Sequence, residues 1–382
     1  MLTIRPSRHA AAPRATERGQ VLVLVVAGLA FMLGMVGLVI DGGYAFAQQR
    51  GSQNGADAAA TAGALIIAEN LPFRAAGLTP PKTDGDVATA VNTAATNNLL
   101  GTVEAYYTDL PGNLLSPAVR VGDGNLPNAA WGVTTTATKT FNTFFSGLLG
   151  LQSITATTSA TVVAGYVENA GAGNVLPITI PLNIIACENN GNFQTIQPPT
   201  VWPLNEHLIL PLCKGPASGN IGWLDWNPPA GGTQELIQAI LNPSNPAIPV
   251  PSWQYVTSTG NVNAGGVEDA INTYAGRVVL LPFFDNACTA PNAAANSACP
   301  AGSGTGNGQN NWYHMPYFFA LRLQDVKAAY IQGSNPECGS AWAGAGCLIG
   351  TITSYIGPNV TVGAGSGTSL DAYSAVGVQL IR

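Results

Sequence analysis

Charge is scarce in this chain. Its 14 Lys and Arg and 20 Asp and Glu make up 9% of 382 residues, where an ordinary soluble domain carries about 25%. Asn, Thr, Ser and Gly must therefore cover most of the surface. That composition suits an exported protein and leaves no basic patch for nucleic acid. Histidine is scarcer still. Beyond the first residues only His207 and His314 occur, far apart and without a C-x-x-C, so the spacing of a zinc site is missing. Glu206-His207 lacks the second His of H-E-x-x-H, and no G-x-S-x-G elbow is present for a serine nucleophile. Asp225 and Asp285 stand as a candidate carboxylate pair of a hydrolase, yet both sit beside aromatics in stretches that read as turn and strand ends. The run "GSGTGNGQNN" after Ala301 has no Lys and no strand-to-helix context, which makes it an exposed loop rather than a phosphate cradle. We expect no metal, no cofactor, no nucleic acid and no small-molecule ligand.

Apolar length is what the chain has instead. With 46% hydrophobic residues it can supply cores for two domains and an appendage. Val21 to Ile40 is a run of twenty residues without a charge, and about 20 apolar residues span a bilayer. The flank before it carries Arg5, Arg8, Arg14 and Arg18 against Glu17, a balance of +3 within a net −6. The positive-inside rule keeps that flank in the cytoplasm and puts everything from Asp41 on the far side. Ala45-Phe46-Ala47 resembles a signal-peptidase site, although a run of twenty exceeds the roughly 7–15 apolar residues of a cleaved signal.

After Asp41 the pattern turns polar and alanine-rich. Gly51, Gly55, Ala59 and Gly63 recur every four residues, which lines small side chains along one helix face where another backbone can approach. Two readings follow: a loosely packed juxtamembrane helix, or a stalk that docks a partner. Asp41 and Tyr44, followed by Gln53-Asn54-Gly55-Ala56-Asp57-Ala58-Ala59-Ala60-Thr61-Ala62-Gly63-Ala64, resemble the N-terminal signature of TadG-like proteins of the TadE/TadG-like family, from tight-adherence (Tad/Flp) pilus and secretion systems. Asp41, Gln53, Asn54 and Asp57 carry that resemblance, with Ser52 where Leu is usual and Gly55 where Ala is usual, changes that weaken the helix. The Gly19-Gln20 junction is similar to a prepilin processing site, but type IV prepilins carry Glu as the fifth residue after the cut and this chain has Leu24. Some family members carry a von Willebrand A domain with a D-x-S-x-S metal site; that motif is absent, so its function is not transferred.

Beyond Leu71-Pro72 the chain breaks, and Pro80-Pro81 with Asp84-Gly85 marks a loop. Val87, Val91, Ala94 and Ala95 predict a helix over Asp86 to Leu100 with Asp86 as its cap. Strands are predicted at Val103 to Tyr107, Ala118 to Val121, Gly132 to Phe141 and Ser153 to Gly165. The apolar piece Phe144 to Leu151 reads as a short helix or buried turn. The strand, "TFF..LLG" turn and second strand of this stretch also resemble the TadE/TadG group.

From Val175 the composition shifts to Pro, Asn, Trp and Cys. A short helix is predicted from Thr233, another within "GGVEDAINTYAGR", a strong strand from Arg277 to Phe284, strands in "WYHMPYFFALRLQDVKAAYIQG" and a final one in "AVGVQLIR". The GWLD-type turn and the strand ending in Phe284-Asp285 resemble the C-terminal half of many TadG-like proteins. Cys187, Cys213, Cys288, Cys299, Cys338 and Cys347 are even in number and all on the predicted outer side, which argues for disulfides among about 15 pairings. The shortest-loop set is Cys187–Cys213, Cys288–Cys299 and Cys338–Cys347. Trp202, Trp223, Trp226, Trp253, Trp312 and Trp342 are either packed or exposed for stacking on glycans or a partner.

The expected fold class is α+β. A basic leader (1–20) precedes a transmembrane helix (21–40) that continues into an alanine-rich stalk helix (41–70). A small α+β domain (71–168), a linker (169–174) and a β-rich disulfide-containing domain (175–382) follow. The expected function is that of a single-pass, non-catalytic membrane component of pilus assembly or secretion, working with other pilus proteins on the outer side. The alternative is a surface hydrolase or glycan-binding protein on the same anchor.

Overall fold

A computed structural model describes residues 18–173, 175–182, 184–187, 193–195, 201–202, 204–212, 222–226, 232–257, 265–288, 299–300, 311–325, 329–330, 346–355 and 360–381. Its fold is α+β. One helix, α1 (Arg18–Ala75), takes in the apolar run and the alanine-rich run without a break. Nothing in the sequence interrupts it before Pro72, whose missing amide and clash with the Ala68 carbonyl come only in the last turn.

The two halves of α1 live in different surroundings. Every residue from Val21 to Ile40 is exposed except Gly37. From Ser52 on, a buried stripe runs through Ala56, Ala59, Ala60, Ala64, Ile67, Ala68 and Leu71, the spacing of one helix face. That face packs on α2 (Asp84–Asn97) and on β2 (Gly132–Asn142) and β3 (Ser153–Ala170), to which β1 (Thr102–Thr108) adds an edge. Small side chains let the helix axis lie close to the sheet. The cap of α2 is Thr83, not Asp86: Asp86 sits three residues in and accepts the Thr83 amide at 2.8 Å, a capping box. Ala118 to Val121 forms no strand; only Arg120 bridges to Tyr106.

β2 and β3 pair antiparallel from Gly132 opposite Val163 to Asn142 opposite Ser153. Thr134 faces Thr161 and Thr140 faces Thr155, each pair joined through hydroxyls at 2.7 and 2.9 Å. β3 runs five residues past the predicted Gly165. Its far half takes the chain's last strand, Val376–Leu380, and the strand Val360–Gly363 along its other edge. The 175–382 stretch therefore contributes to both sheets.

The second sheet has ten described strands. In its middle Val278–Phe284 pairs antiparallel with Tyr317–Leu323 and parallel with Ile178–Pro181. Val279, Leu281 and Phe283 face helices α3 (Thr233–Leu241) and α4 (Gly265–Asn272), while Leu280 and Phe284 join a cluster with Val167 and Ala170 of β3. Burial on both faces accounts for the unbroken apolar run "VVLLPFF".

Candidate functional site at the helix junction

Asp41 follows directly on the exposed apolar run and is itself 3% exposed. A carboxylate buried at such a place is costly unless it is satisfied. Here the hairpin tip between β2 and β3 satisfies it. The Phe144 amide donates to Oδ1 at 2.8 Å, the Phe145 amide to Oδ2 at 2.9 Å, and the Ser146 amide also donates to Oδ2. Burial pushes the carboxyl up, but the amides of Ser146, Phe144 and Phe145 outweigh it and hold the group at about 2. One turn earlier, Gly37 leaves room for the Phe145 ring; a Cβ built there would lie 2.7 Å from Phe145 Cβ. Tyr44 closes the junction edge-on against Phe141 and Phe144, with centroids 5.5 and 5.1 Å away.

Further along α1, side chains tie helix to sheet. Ser52 Oγ meets Thr158 Oγ1 at 3.0 Å, and Thr135 Oγ1 donates to the Ala56 carbonyl at 2.9 Å. Gln53 Nε2 donates to Asp57 Oδ1 at 2.8 Å and to the Ser159 carbonyl at 3.0 Å. Asn54 points outward and is exposed. Residues 19–65, the helix that carries all of these groups, match the Tad family model, Flp pilus-assembly TadE/G-like. The segment is TadE/G-like. No curated protein and no solved structure matches the chain significantly.

In the TadE/G-like segment, Ser52 and Gly55, the two departures from the expected pattern, both have packing partners. Ser52 is buried on Thr158; at Gly55 a Cβ would come within 2.6 Å of Leu100 Cδ2. Gly63 lies against Val91 and Val133, and Ala59 is buried. Only Gly51 of the four small residues has open space around it. The stripe's close approach is thus made to the chain's own α2 and sheet. Gly19 and Gln20 lie in the first turn of α1.

The hairpin tip is the part of this site that sequence reasoning missed. Phe144 to Leu151 is a single turn of 3-10 helix at Ser146–Leu149, but it is not buried: Phe144, Phe145, Leu148 and Leu151 are 63%, 45%, 87% and 53% exposed. The signal available was the absence of any charge between Lys139 and Glu168.

Elsewhere, Cys288 and Cys299 form a disulfide with Cα atoms 5.8 Å apart. Cys347, buried, is also disulfide-bonded. Cys187 ends the strand Ile184–Cys187, and Cys213, Cys338 and Trp342 lie outside the described residues, as does the glycine-rich run after Ala301. His314 Nδ1, on the strand Asn311–Met315, and Asp285 Oδ1, in the bend after Phe284, are 2.7 Å apart, with the Trp253 ring 5.1 Å from the imidazole. Among the described residues no three His, Cys, Asp or Glu side chains converge. Every described tryptophan is buried or half-buried; Trp202 packs edge-on to Phe319 and Trp312 to Tyr255.

Proposed function

We propose that the chain is a TadG-like, membrane-anchored, non-catalytic component of Flp/Tad-type pilus assembly or secretion, with Asp41 onward outside the cytoplasm and acting through protein contacts there. One observation carries the reading: the family-matched helix runs unbroken from an exposed apolar span into the core of a folded domain. Displacement of the anchor therefore moves the outer sheet as a rigid attachment. The segment free for partners is the mostly exposed neck from Gly42 to Gly51, with Asn54 beyond it, because the rest of the small-residue face is occupied within the chain. Single-pass anchoring with a cytoplasmic leader follows from the Arg-rich flank.

Cleavage after Ala47 would cut α1 in mid-helix and strip the amides of residues 144–146 of their Asp41 acceptor. Retention of the anchor is the reading this supports. Mass spectrometry of the mature N-terminus from the native membrane fraction tests it. A start at or near Met1 fits the anchor, a start at Gln20 makes the chain a processed pilin-like subunit, and a start at Gln48 overturns the reading. Its role is tested in cells lacking the protein: the full chain restores pili, and a version whose Val21–Ile40 run is replaced by a cleavable signal does not. Restoration by the released body would refute the proposal.

The second reading, a surface hydrolase, is favoured by the Asp285–His314 pair alone, an arrangement suited to a general base. In the assembly reading, His314→Gln leaves piliation at the wild-type level.

A further inference from the structure

We infer that the β2–β3 hairpin tip, Phe144 to Leu151, is a second membrane contact that inserts into the lipid surface beside α1. The inference rests on the reading of Val21–Ile40 as a membrane span. The tip is apolar and outward-facing. Leu148 is 87% exposed and Phe144 63%, whereas hairpin tips in water are made of turn-forming polar residues. It also carries no charge, since none occurs between Lys139 and Glu168. Most of its amides have partners: those of residues 144–146 donate to Asp41, Leu148 to the Phe145 carbonyl, Gly150 to the Gly147 carbonyl and Leu151 to the Ser146 carbonyl, and at the base the Thr143 amide and hydroxyl donate to the Gln152 and Leu151 carbonyls. A segment entering lipid must satisfy its backbone in this way.

Position identifies the occupant as lipid. Phe145 packs against Gly37, inside the apolar run, while Asp41 one turn later receives the tip's amides. The tip thus reaches from Asp41, just outside the span, back to Gly37 in the last turn of the span, roughly 6 Å at helical rise. That matches the about 5–10 Å to which interfacial segments sink. Leu38, Val39 and Ile40 on the helix and Phe144, Leu148 and Leu151 on the tip are all exposed, and the contact of Phe145 with Gly37 brings the apolar tip to the end of the span. Asp41 is a positioning residue: it fixes the tip to the helix at the level where the bilayer begins. A helix alone leaves tilt and rotation free; a helix with a docked hairpin holds the outer sheet at one height and one orientation.

The test uses the full chain in phosphatidylcholine liposomes with a nitrobenzoxadiazole dye on one introduced thiol: Leu148→Cys at the tip, Met32→Cys in the span and Asn125→Cys on an exposed outer loop. We expect the dye at position 148 to emit to the blue of the dye at 125, to lose most of its emission to a lipid spin-labelled high on the acyl chain, and to resist aqueous iodide. Quenching of the 148 dye by iodide, with the 32 dye still reached by lipid spin label, overturns the membrane contact and leaves the anchor standing. If the 32 dye is also in water, the span reading and the inference fall together. Shielding of the 148 dye from both quenchers means that protein covers the tip, and overturns the inference as well.

Discussion

Asp41, Asp84 and Asp371 are each less than a tenth exposed in a chain that has only 20 acidic residues, and each gathers the donors of a loop. Asp84 takes the Tyr107 hydroxyl and the amides of Gly122 and Gly124; Asp371 takes the Ser366 amide and hydroxyl and the Gly367 amide. A carboxylate satisfied by several donors is a strong clamp on backbone that has no ladder of its own. For Asp41 the sign of the pH effect follows. Its folded value of about 2 lies below the ordinary 3.8, so the clamp contributes fully above the ordinary value and is lost as pH falls through the folded one. A dye at Leu148 should report an unchanged tip from neutral pH down to about 4, then release as pH falls toward about 2. Asp41→Ala should release it at neutral pH, seen as loss of hydrogen-exchange protection at the amides of 144–146. Ser52 and Thr158 form a second test. Ser52→Ala strands a buried hydroxyl and should cost about 1–3 kcal/mol, whereas Ser52→Ala with Thr158→Val should recover most of it; thermal unfolding of the two variants decides.

The helix α1 shows how one residue type does opposite things along one element. Gly51 has nothing within 4 Å of a built Cβ, while at Gly63 that atom would stand 2.9 Å from Val91 Cγ2 and 3.0 Å from Val133 Cγ2. Gly51→Ala should therefore stabilise by about 0.5–1 kcal/mol through helix propensity. Gly63→Ala gains the same propensity but overpacks two stiff valines at about 1–3 kcal/mol, so its melting temperature should fall. Two rises of equal size would show that position 63 is not packed as described. The four-residue repeat was legible in sequence; which neighbour it served was not, because α2 and β2 reach it only through the tertiary fold. Periodicity likewise exposed α2, β2, α3, α4 and Val278–Phe284. It overstated Ala118 to Val121, where apolar residues alternate but only a single bridge, Arg120 to Tyr106, forms against β1. It failed at the hairpin tip, where apolar character suggested burial in protein and the structure turns it outward beside the apolar half of α1.

The chain is not two beads in series. Val376–Leu380 returns from the second half to pair with Val162 to Tyr166 of β3, and Ala375 joins the sheets through its amide to the Phe318 carbonyl and its carbonyl to the Val167 amide. No reading of local pattern could place that last strand, since "AVGVQLIR" announces a strand but not its neighbour. Its position makes the half that carries α1 depend on the far end of the chain. Deleting residues 376–382 removes Val376, which is 1% exposed, and a fully buried Val contributes about 1.5–3 kcal/mol. The deletion also opens the edge of β3, an exposed template for aggregation. We expect the truncated protein to lose protection from proteolysis in α1, β2 and β3, not merely near its new end, and to show a lower denaturant midpoint for Trp131, the residue that leads into β2. Proteolysis confined to the second half, with the Trp131 transition unmoved, would mean that the anchored domain completes itself without the C-terminal strand.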